Sequence, residues 1–172
     1  GYIALACGSD KYLQMAINLA LSVKLNDPGR PICLVHDENI RLGAEARRAF
    51  DDFSLLSTDA AYVGCINKIR LYEASPYEKT MYVDSDCFIV KNDMDRHWQR
   101  FDASYFNVAG FKRQSGTWHG LDVAEVCRSL AIPYVVDMNS GVFYFERGPA
   151  AQEVFARVNE LYATKRELIG SF

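Results

Sequence analysis

The segment KTMYVDSDCFIV, residues 79–90, places two aspartates one residue apart between two apolar runs. Asp84 and Asp86 come at the end of a predicted strand, residues 80–84, and the chain then turns apolar again. Two carboxylates this close repel each other, and neither belongs in a hydrophobic core unless a positive charge lies near both. The pair therefore indicates a site that holds a positive charge.

A second pair, Asp93 and Asp95, has the same spacing in a different setting. It lies in polar sequence ahead of a predicted short helix, where aspartates usually act as helix caps. We therefore interpret Asp84 and Asp86 as functional residues, and Asp93 and Asp95 as structural ones.

The bulk composition is that of a single globular domain, residues 1–172. Hydrophobic residues make up 49% and charged residues 24% of the chain, which is ordinary for a globular protein with a substantial core. A net charge of -3 predicts no nucleic-acid partner, and no apolar run is long enough to predict a transmembrane segment. The five cysteines include no Cys-x-x-Cys pair, and their odd number argues against a disulfide framework, so we expect a reducing, cytoplasmic setting.

Strand-like and helix-like patterns alternate along the chain. Short apolar runs, typical of buried strands, are separated by segments in which apolar residues have helical spacing. This alternation predicts an α/β fold with a mostly parallel central sheet and helices on both faces. The predicted strands are residues 2–7, 31–35, 53–56, 80–84, 103–109 and 140–145, and the predicted helices are residues 11–25, 42–50, 68–74, 121–131 and 152–164.

The carboxyl ends of the strands are the expected ligand-binding edge of such a sheet. Asp84 and Asp86 lie at this edge, and residues i and i+2 of a strand project to the same side, so both carboxylates can face one point. Mg²⁺ prefers one or two carboxylates plus substrate phosphates, and Mn²⁺ favours the same hard oxygen ligands. We therefore expect a site for Mn²⁺ or Mg²⁺.

Three segments in order resemble the nucleotide-sugar glycosyltransferases with the GT-A (Rossmann-like) fold, and within them the glycogenin-like retaining family. Its opening strand and helix are matched by IALACGSDKYLQMAINLALSVKLN, residues 3–26. Its Lys-x-Arg-Leu helix and Asp-x-Asp motif are matched by NKIRLYEASPYEKTMYVDSD, residues 67–86. Its Asn-Ser-Gly strand is matched by DMNSGVFYFERG, residues 137–148.

The resemblance implies a role for each matched residue. Asp84 and Asp86 would hold the metal ion on the donor diphosphate, with Asp86 the more direct ligand. Lys68 would reach the diphosphate or the donor sugar, and Ser85 the ribose or the sugar. Asp86 and Asp137 are the implied candidates for catalysis. The other donor-binding residues would be Ala6, Gly8, Ser9 and Tyr12 around the nucleoside, and Asn139 and Ser140 in the sugar pocket, with Asp137 close by.

The residues themselves support part of this assignment. Gly8 follows a strand and lets the backbone approach a ligand closely. Lys68 begins a predicted helix capped by Asn67, where a cation opposes the helix dipole, and a phosphate partner would explain its presence there. Tyr12, judged by helical spacing alone, is expected in the core, and residues 139–141 also fit a turn into a strand.

Two further segments are candidates at or near this edge of the sheet. Asp37 ends a predicted strand there and either contacts the nucleoside or turns the chain. The polar segment 111–120 holds Trp118 beside His119. It is either an acceptor-side loop or an ordinary loop held by one buried tryptophan, and we expect the ordinary loop.

The sequence thus predicts a metal-dependent glycosyltransferase that moves a hexose from a nucleotide sugar, a UDP-sugar, to an unknown glycan, protein or small-molecule acceptor. A dication stabilises the charge that develops on a departing nucleoside diphosphate. The resemblance implies retention of configuration at the anomeric carbon. The family's third metal ligand and its acidic sugar loop have no match after the Asn-Ser-Gly strand, so we expect a C-terminally incomplete chain that turns over poorly by itself.

Two other functions compete with this one. A catalytically silent sugar-nucleotide binding domain would share every feature except turnover. A phosphatase of the haloacid dehalogenase type also uses an Asp-x-Asp pair at a strand end, with the leading aspartate as nucleophile. That pair normally follows the first strand, whereas Asp84 and Asp86 follow the fourth predicted strand, which disfavours the phosphatase.

Overall fold

The computed structural model describes residues 1–118 and 120–164. A 3₁₀ helix, Gly64–Arg70, lies between the third strand and the third α-helix. The described part of the chain has eight strands, β1 Tyr2–Ala6, β2 Ile32–Asp37, β3 Asp52–Leu56, β4 Lys79–Val83, β5 Phe106–Arg113, β6 Thr117–Trp118, β7 Leu121–Asp122 and β8 Val135–Glu146. Its six α-helices are α1 Asp10–Asn26, α2 Ala44–Ala49, α3 Leu71–Ala74, α4 Met94–Phe101, α5 Val123–Ser129 and α6 Pro149–Thr164.

The main sheet has six strands in the order β3-β2-β1-β4-β8-β5. Strands β3, β2, β1 and β4 are parallel, whereas β8 pairs antiparallel with both β4 and β5. A separate antiparallel ribbon is formed by β6 and β7. The sheet is therefore mostly parallel, as predicted.

Helices cover both faces of this sheet because alternate residues of the central strands point to opposite sides. Tyr2 and Ala4 of β1 pack in a cluster with α1, α2 and Trp98 of α4. Ile3 and Leu5 of the same strand pack in a second cluster with α3 and α6. All five residues of β1 are buried, which is why the strand reads as a continuous apolar run. The predicted fold class is confirmed.

The chain before β4 differs from the prediction. A helix capped by Asn67 was expected over residues 68–74, but the 3₁₀ helix begins at Gly64 and passes into α3. The buried Asn67 amide donates to the Tyr62 and Gly64 carbonyls at 3.0 and 3.2 Å, so it ties the start of the 3₁₀ helix instead of capping α3. Lys68 lies in the last turn of the 3₁₀ helix, where a cation is favourable. The expected conflict with a helix dipole was wrong.

Two strands, β5 and β8, are longer than predicted. Strand β8 runs from Val135 to Glu146 instead of over residues 140–145, and β5 reaches Arg113 instead of ending near residue 109. In the polar segment 111–120, residues 111–113 end β5 and residues 117–118 form β6, so its described part is not a simple loop. This extension carries the sheet beyond the point where β4 ends.

The positions of Asp93 and Asp95 in the fold agree with a structural role for this second pair. Asp93 occupies the N-cap position of α4 by its backbone, although its side chain makes no capping hydrogen bond. Asp95 forms an ion pair with Arg30 at 2.6 Å. Within residues 1–118 and 120–164, no helix combines the length and apolarity needed to cross a membrane.

Candidate functional site

A cleft of about 200 Å³ opens beyond the carboxyl ends of β1 and β4. Asp84 and Asp86 both line it, as the strand pattern predicted. Parallel sheets bind ligands at this edge, where strand ends and helix starts leave a depression. The other lining residues include Leu5, Cys7, Tyr12, Met15, Gly64, Cys65, Lys68, Tyr82 and Ser85.

The Asp84 carboxylate is held by two side chains. The Lys68 ammonium lies 2.7 Å from its Oδ1, and the Tyr82 hydroxyl donates a short hydrogen bond to the same oxygen. Lys68 also lies over the Tyr82 ring, 5.4 Å from its centroid. Burial raises the pKa of the Tyr82 phenol well above its usual range, and the Asp84 charge raises it further, so Tyr82 remains a hydrogen-bond donor.

The chain makes a tight turn directly after β4. The Cys87 amide donates to the Asp84 carbonyl at 2.9 Å, which leaves Asp86 exposed at the tip of the turn. Ser85 between the aspartates is buried, and its hydroxyl donates to the Leu5 carbonyl at 2.5 Å. This bond fixes the turn to the end of β1. The implied contact between Ser85 and a ribose or sugar stays a prediction, and it would compete with this bond.

An irregularity in β8 shapes the other wall of the site. Val108 of β5 pairs with Phe143, whereas Gly110 pairs with Met138, so the four residues 139–142 face a single residue of β5. Such bulges bend a strand and re-aim its side chains, and they are common beside active sites. The bulge brings the Asn-Ser-Gly segment against the end of β4.

Gly141 in this bulge contacts Asp84 directly. Its carbonyl accepts a hydrogen bond of 2.7 Å from the Asp84 amide, and its own amide donates to Asn139 Oδ1 at 2.8 Å. A Cβ on Gly141 would lie 2.8 Å from that Asn139 oxygen and 3.2 Å from Asp84 Oδ2. Lys68 donates to the Ser140 carbonyl at 3.4 Å. The structure therefore brings Lys68, Asp84 and residues 139–141 together.

The loop between β1 and α1 forms the neighbouring edge. Gly8 has a φ of +77°, a conformation that L side chains rarely adopt, and its amide donates to Asp37 Oδ2 at 2.8 Å. Ser9 is the N-cap of α1 and accepts from the Lys11 amide. Asp37 also accepts from the Asn39 amide at 3.1 Å, so it turns the chain after β2 and in addition fastens the Gly8 loop. Its contact with a nucleoside stays a prediction.

Two of the implied nucleoside contacts differ in exposure. Ala6 is fully buried in β1, so it can offer a ligand its backbone and not its side chain. Tyr12 is 48% exposed and lines the cleft. The expectation of a core position for Tyr12, drawn from helical spacing, was wrong, because this face of α1 meets the cleft instead of the sheet. Its stacking on a base stays a prediction.

The carboxylates of the cleft are suited to bind a divalent cation together with a nucleotide. Asp84 and Asp86 offer hard carboxylate oxygens, which suit Mg²⁺ and Mn²⁺. Among the described residues, however, no group of three or more His, Cys, Asp or Glu side chains could hold a metal ion. The described residues would therefore supply two ligands, Asp84 and Asp86, and the phosphates of a bound nucleotide and water would add to the coordination.

Asp137, the second implied catalytic residue, does not lie in the cleft. Its carboxylate pairs with the Arg113 guanidinium at 2.8 Å, in a second groove that also contains Trp118. The bulge in β8 separates it from Asp84, so the structure gives no support to its catalytic role. Trp118 is 46% exposed, which contradicts the expected loop held by a buried tryptophan. His119 lies outside the described residues.

Sequence reasoning missed six residues of the cleft, which are Leu5, Cys7, Met15, Gly64, Cys65 and Tyr82. Tyr82 was treated as part of the apolar strand, although its position two residues before Asp84 places both on the same side of β4. Cys65 enters the cleft through the 3₁₀ helix, which had no recognisable signal in the sequence.

Two plant proteins show sequence similarity to the chain, whereas no protein-family model matches it. They are Arabidopsis thaliana proteins named among the UDP-glucuronate:xylan alpha-glucuronosyltransferases, numbers 5 and 2. They are 29% and 25% identical over 101 and 114 residues, or 53% and 60% of this chain. The chain spans about a fifth of the length of these relatives, 18% and 19%.

Solved glycosyltransferase structures share the arrangement of strands and helices. The galactosyltransferase LgtC, in complex with donor and acceptor sugar analogs, aligns with 100% of this chain and 67% of its own length at a TM-score of 0.62. The chain has the GT-A fold. Two further similar structures are the glycosyltransferase GlyE of Streptococcus pneumoniae TIGR4, with a TM-score of 0.57 over 96% of this chain and 39% of its own, and the bifunctional glycosyltransferase WbbM, with 0.58 over 90% and 33%. At 12 to 13% identity, these likenesses show the fold and not the reaction.

Proposed function

We propose that the chain is the donor-binding part of a metal-dependent glycosyltransferase. One observation carries this proposal. Asp84 and Asp86 meet Lys68 in a single cleft at the carboxyl edge of a GT-A sheet, so two metal-binding carboxylates and one cation face the same space. A nucleoside diphosphate bridged by a dication has the matching charges. Mn²⁺ or Mg²⁺, held by Asp84 and Asp86, would stabilise the charge of the departing diphosphate.

A UDP-sugar is the donor we propose. The names of both plant relatives contain UDP-glucuronate, and the resemblance to the glycogenin-like family points to the same nucleotide. Tyr12 lies at the cleft wall with its ring half exposed, where it can stack on a base. The Gly8 loop, fastened by Asp37, would bring its backbone close to the nucleoside.

The residues of the cleft would orient the donor and neutralise its charge. The flexible Lys68 side chain can shift its ammonium from the Asp84 carboxylate to a phosphate oxygen of the donor, because both groups are anionic. An acceptor hydroxyl forms the new bond to the anomeric carbon while the bond to the diphosphate breaks. The diphosphate takes the electron pair, and the hydroxyl proton passes to a phosphate oxygen.

Retention of configuration is part of this proposal through the family resemblance. Among the described residues that line the cleft, the carboxylates are Asp84 and Asp86, and both are assigned to the cation. This assignment favours attack by the acceptor on the face that the diphosphate leaves, with no covalent sugar–protein intermediate. The acceptor is a glycan, a protein or a small molecule, and the xylan in the names of the plant relatives makes a plant-type glycan a rational first probe.

The proposal is tested by titrating the protein with UDP in the presence and absence of Mn²⁺. Asp86→Asn should weaken the Mn²⁺-dependent binding of UDP by at least about 10-fold, because a lost charged contact costs roughly 1.5–3 kcal/mol. Asp84→Asn should have a similar effect. Asp93→Asn is the matched control, since Asp93 lies in the second Asp-x-Asp pair at the start of α4. An equal loss of UDP affinity in Asp86→Asn and Asp93→Asn would contradict the assignment of Asp84 and Asp86 to the metal site.

Turnover separates the proposed enzyme from a silent binding domain. A UDP-sugar that binds with Mn²⁺ and is hydrolysed or transferred supports the enzyme, whereas binding without release of UDP supports the silent domain. A haloacid-dehalogenase-type phosphatase stays disfavoured, because the aspartate pair follows β4 and the end of β1 carries Cys7 and Gly8 instead. Release of inorganic phosphate from a sugar phosphate would favour it.

A further inference from the structure

Tyr82 and Asp84 are two residues apart at the end of β4, so both side chains project to the same side of the sheet. Tyr82 is buried, with 1% of its surface exposed, yet it lines the cleft. Its hydroxyl donates a short hydrogen bond to Asp84 Oδ1. The strand therefore places one buried hydrogen-bond donor directly beside the first candidate metal ligand.

Packing inside the fold fixes the Tyr82 ring. Phe143 lies opposite it on β8, and the two ring centroids are 4.8 Å apart. Phe143 also stacks with Phe106 of β5, with centroids 6.0 Å apart, so three rings form a row across three neighbouring strands. Close-packed interiors hold their side chains in defined rotamers. The position of the Tyr82 hydroxyl is therefore set by the core of the protein and does not depend on a ligand.

Two donors share one oxygen of the Asp84 carboxylate. The Lys68 ammonium lies 2.7 Å from Oδ1, which is the oxygen that the Tyr82 hydroxyl also contacts. The other oxygen, Oδ2, lies on the side of Gly141, where a Cβ on that glycine would be 3.2 Å away. The carboxylate thus has a defined orientation, with Oδ1 toward the two donors and Oδ2 toward the bulge in β8.

The two donors differ in how firmly they are held. Lys68 has a flexible four-carbon side chain, and under the proposed function its ammonium shifts to the diphosphate. The rigid Tyr82 ring is fixed by its neighbours in the core. When Lys68 moves to the diphosphate, Tyr82 is therefore the donor that stays on Oδ1.

We propose that Tyr82 is a positioning residue of the metal site. It holds Oδ1 of Asp84 in place after Lys68 has moved to the diphosphate, so that Asp84 keeps presenting Oδ2 to the dication. This inference rests on the proposed glycosyltransferase function. Tyr82 acts through Asp84 and takes no part in the bonds that form and break.

This positioning has a consequence for the choice of metal ion. A carboxylate with one oxygen engaged offers the ion a single oxygen, which suits the octahedral coordination of Mg²⁺. Ca²⁺ takes six to eight oxygen ligands and also accepts both oxygens of one carboxylate. Freeing Oδ1 should therefore weaken the preference of the site for Mg²⁺ over Ca²⁺.

Tyr82→Phe tests the role of the hydroxyl. Phenylalanine keeps the ring, its packing against Phe143 and the aromatic face under the Lys68 ammonium, 5.4 Å from the ring centroid. UDP is titrated calorimetrically into the protein in excess Mg²⁺ or excess Ca²⁺. UDP affinity in Mg²⁺ should fall by about 5- to 10-fold, the effect of one hydrogen bond. The ratio of UDP affinities in Mg²⁺ and Ca²⁺ should fall by at least about 5-fold, because the loss in Ca²⁺ is offset by the second oxygen.

Tyr144→Phe is the matched control. Tyr144 is also fully buried, and its hydroxyl donates to Asp102 Oδ1 at 2.7 Å, while Lys79 bonds to the same carboxylate at 2.7 and 2.9 Å. These three residues repeat the Tyr–Asp–Lys arrangement of the cleft at the start of β4, away from the cleft. A general loss of stability from a missing buried hydroxyl should appear in both variants under urea denaturation. The ratio of UDP affinities in Mg²⁺ and Ca²⁺ should change only in Tyr82→Phe.

A second measurement needs no variant. In NMR spectra of protein with isotope-labelled tyrosine rings, the buried Tyr82 hydroxyl proton should give a slowly exchanging resonance. This resonance should persist when UDP and Mg²⁺ are added, because the bond to Asp84 stays in place.

Three outcomes overturn the inference. They are an unchanged ratio of UDP affinities in Tyr82→Phe, an equal change of that ratio in Tyr144→Phe, and loss of the Tyr82 hydroxyl resonance when UDP and Mg²⁺ bind. Failure of the unaltered protein to bind UDP with Mn²⁺, Mg²⁺ or Ca²⁺ would instead overturn the proposed function, and the positioning role with it.

Discussion

The Lys68 ammonium lies 2.7 Å from the Asp84 carboxylate, although the two residues come from different elements of the fold. Lys68 belongs to the 3₁₀ helix before α3, and Asp84 follows β4. Their side chains are 17% and 29% exposed, so solvent screens this pair less than a surface pair. Lys68 thus balances the first charge of the aspartate pair and leaves Asp86 facing solvent.

This pairing predicts opposite effects of Lys68→Met on two ligands. UDP should bind roughly 10- to 100-fold more weakly, because a charged hydrogen bond to phosphate contributes about 1.5–3 kcal/mol. Uridine affinity should change little, since it carries no phosphate. Mn²⁺ alone should bind more tightly, because the cation that competes for Asp84 is gone. Calorimetry with the three ligands measures all of these effects.

Lys79→Met is the matched control for Lys68→Met. Lys79 also forms an ion pair of 2.7 Å, with Asp102, but it lies at the start of β4, away from the cleft. UDP affinity should be unchanged in this variant. If UDP affinity were also unchanged in Lys68→Met, Lys68 would have a structural role and would not bind the diphosphate.

Gly141→Ala should damage the site without unfolding the protein. The new Cβ would come within 2.8 Å of Asn139 Oδ1 and 3.2 Å of Asp84 Oδ2, so one of these side chains must move. We expect Mn²⁺-dependent UDP binding to fall by at least about 10-fold, with a stability loss of roughly 1–3 kcal/mol, the usual cost of overpacking. Calorimetry and urea denaturation separate the two effects.

Gly29→Ala provides the comparison for Gly141→Ala. A Cβ on Gly29 would meet no atom within 4 Å, so both UDP affinity and stability should stay near those of the unaltered protein. Full UDP affinity in Gly141→Ala would show that the bulge in β8 does not position Asp84 for binding.

The strands and the aspartate pair could be predicted because their signals are local. A run such as residues 2–6 is apolar at every position only when both faces of a strand are buried. Asp84 and Asp86 stand out because they interrupt such a run at its carboxyl end. Both signals are complete within about ten residues of sequence.

The contacts that complete the cleft are not local, which is why the sequence did not predict them. The Lys68–Asp84 pair depends on a 3₁₀ helix, whereas residues 68–74 read as one ordinary helix. The bulge at residues 139–142 depends on the register between β5 and β8, which no single strand specifies. The separation of Asp137 from Asp84 follows from that register.

Cysteine alkylation should report occupancy of the cleft. Cys65 is exposed and lines the cleft, whereas Cys7 and Cys33 are buried. Burial, together with the nearby Asp37 charge, raises the pKa of Cys7 to about 11, and burial raises that of Cys33 to about 12. Iodoacetamide at pH 8 should therefore modify Cys65 and spare the other two, since the thiolate is the reactive form.

Bound nucleotide should protect Cys65 from this reaction. Saturating UDP with Mn²⁺ fills the cleft, so the rate of Cys65 alkylation should fall by at least about 10-fold while Cys7 and Cys33 stay unmodified. Mass spectrometry of peptides measures each site. An unchanged Cys65 rate under conditions where calorimetry shows UDP bound would place the nucleotide elsewhere.

Asp51 should make the stability of the fold depend on pH. Its carboxylate lies 2.7 Å from the Lys24 ammonium and accepts from the Ile32 amide at 2.9 Å, which joins α1 to the start of β2. Burial by itself would raise the pKa of Asp51, but these two hydrogen bonds lower it below its ordinary value. The folded state therefore holds the ionised form more strongly than the unfolded state, whose pKa is about 3.9.

The sign of this effect follows from the lowered pKa. The stabilisation by Asp51 is complete above the unfolded pKa and is lost as the pH falls through the lower, folded pKa. Asp51→Asn should cost about 1 kcal/mol at pH 7, because the pair is 38% and 39% exposed and solvent screens it. Urea denaturation should show that this difference from the unaltered protein shrinks at pH 3. In Glu153→Gln, on the exposed side of α6, the difference should be small at both pH values, and a constant loss in Asp51→Asn would mean that its charge does not stabilise the fold.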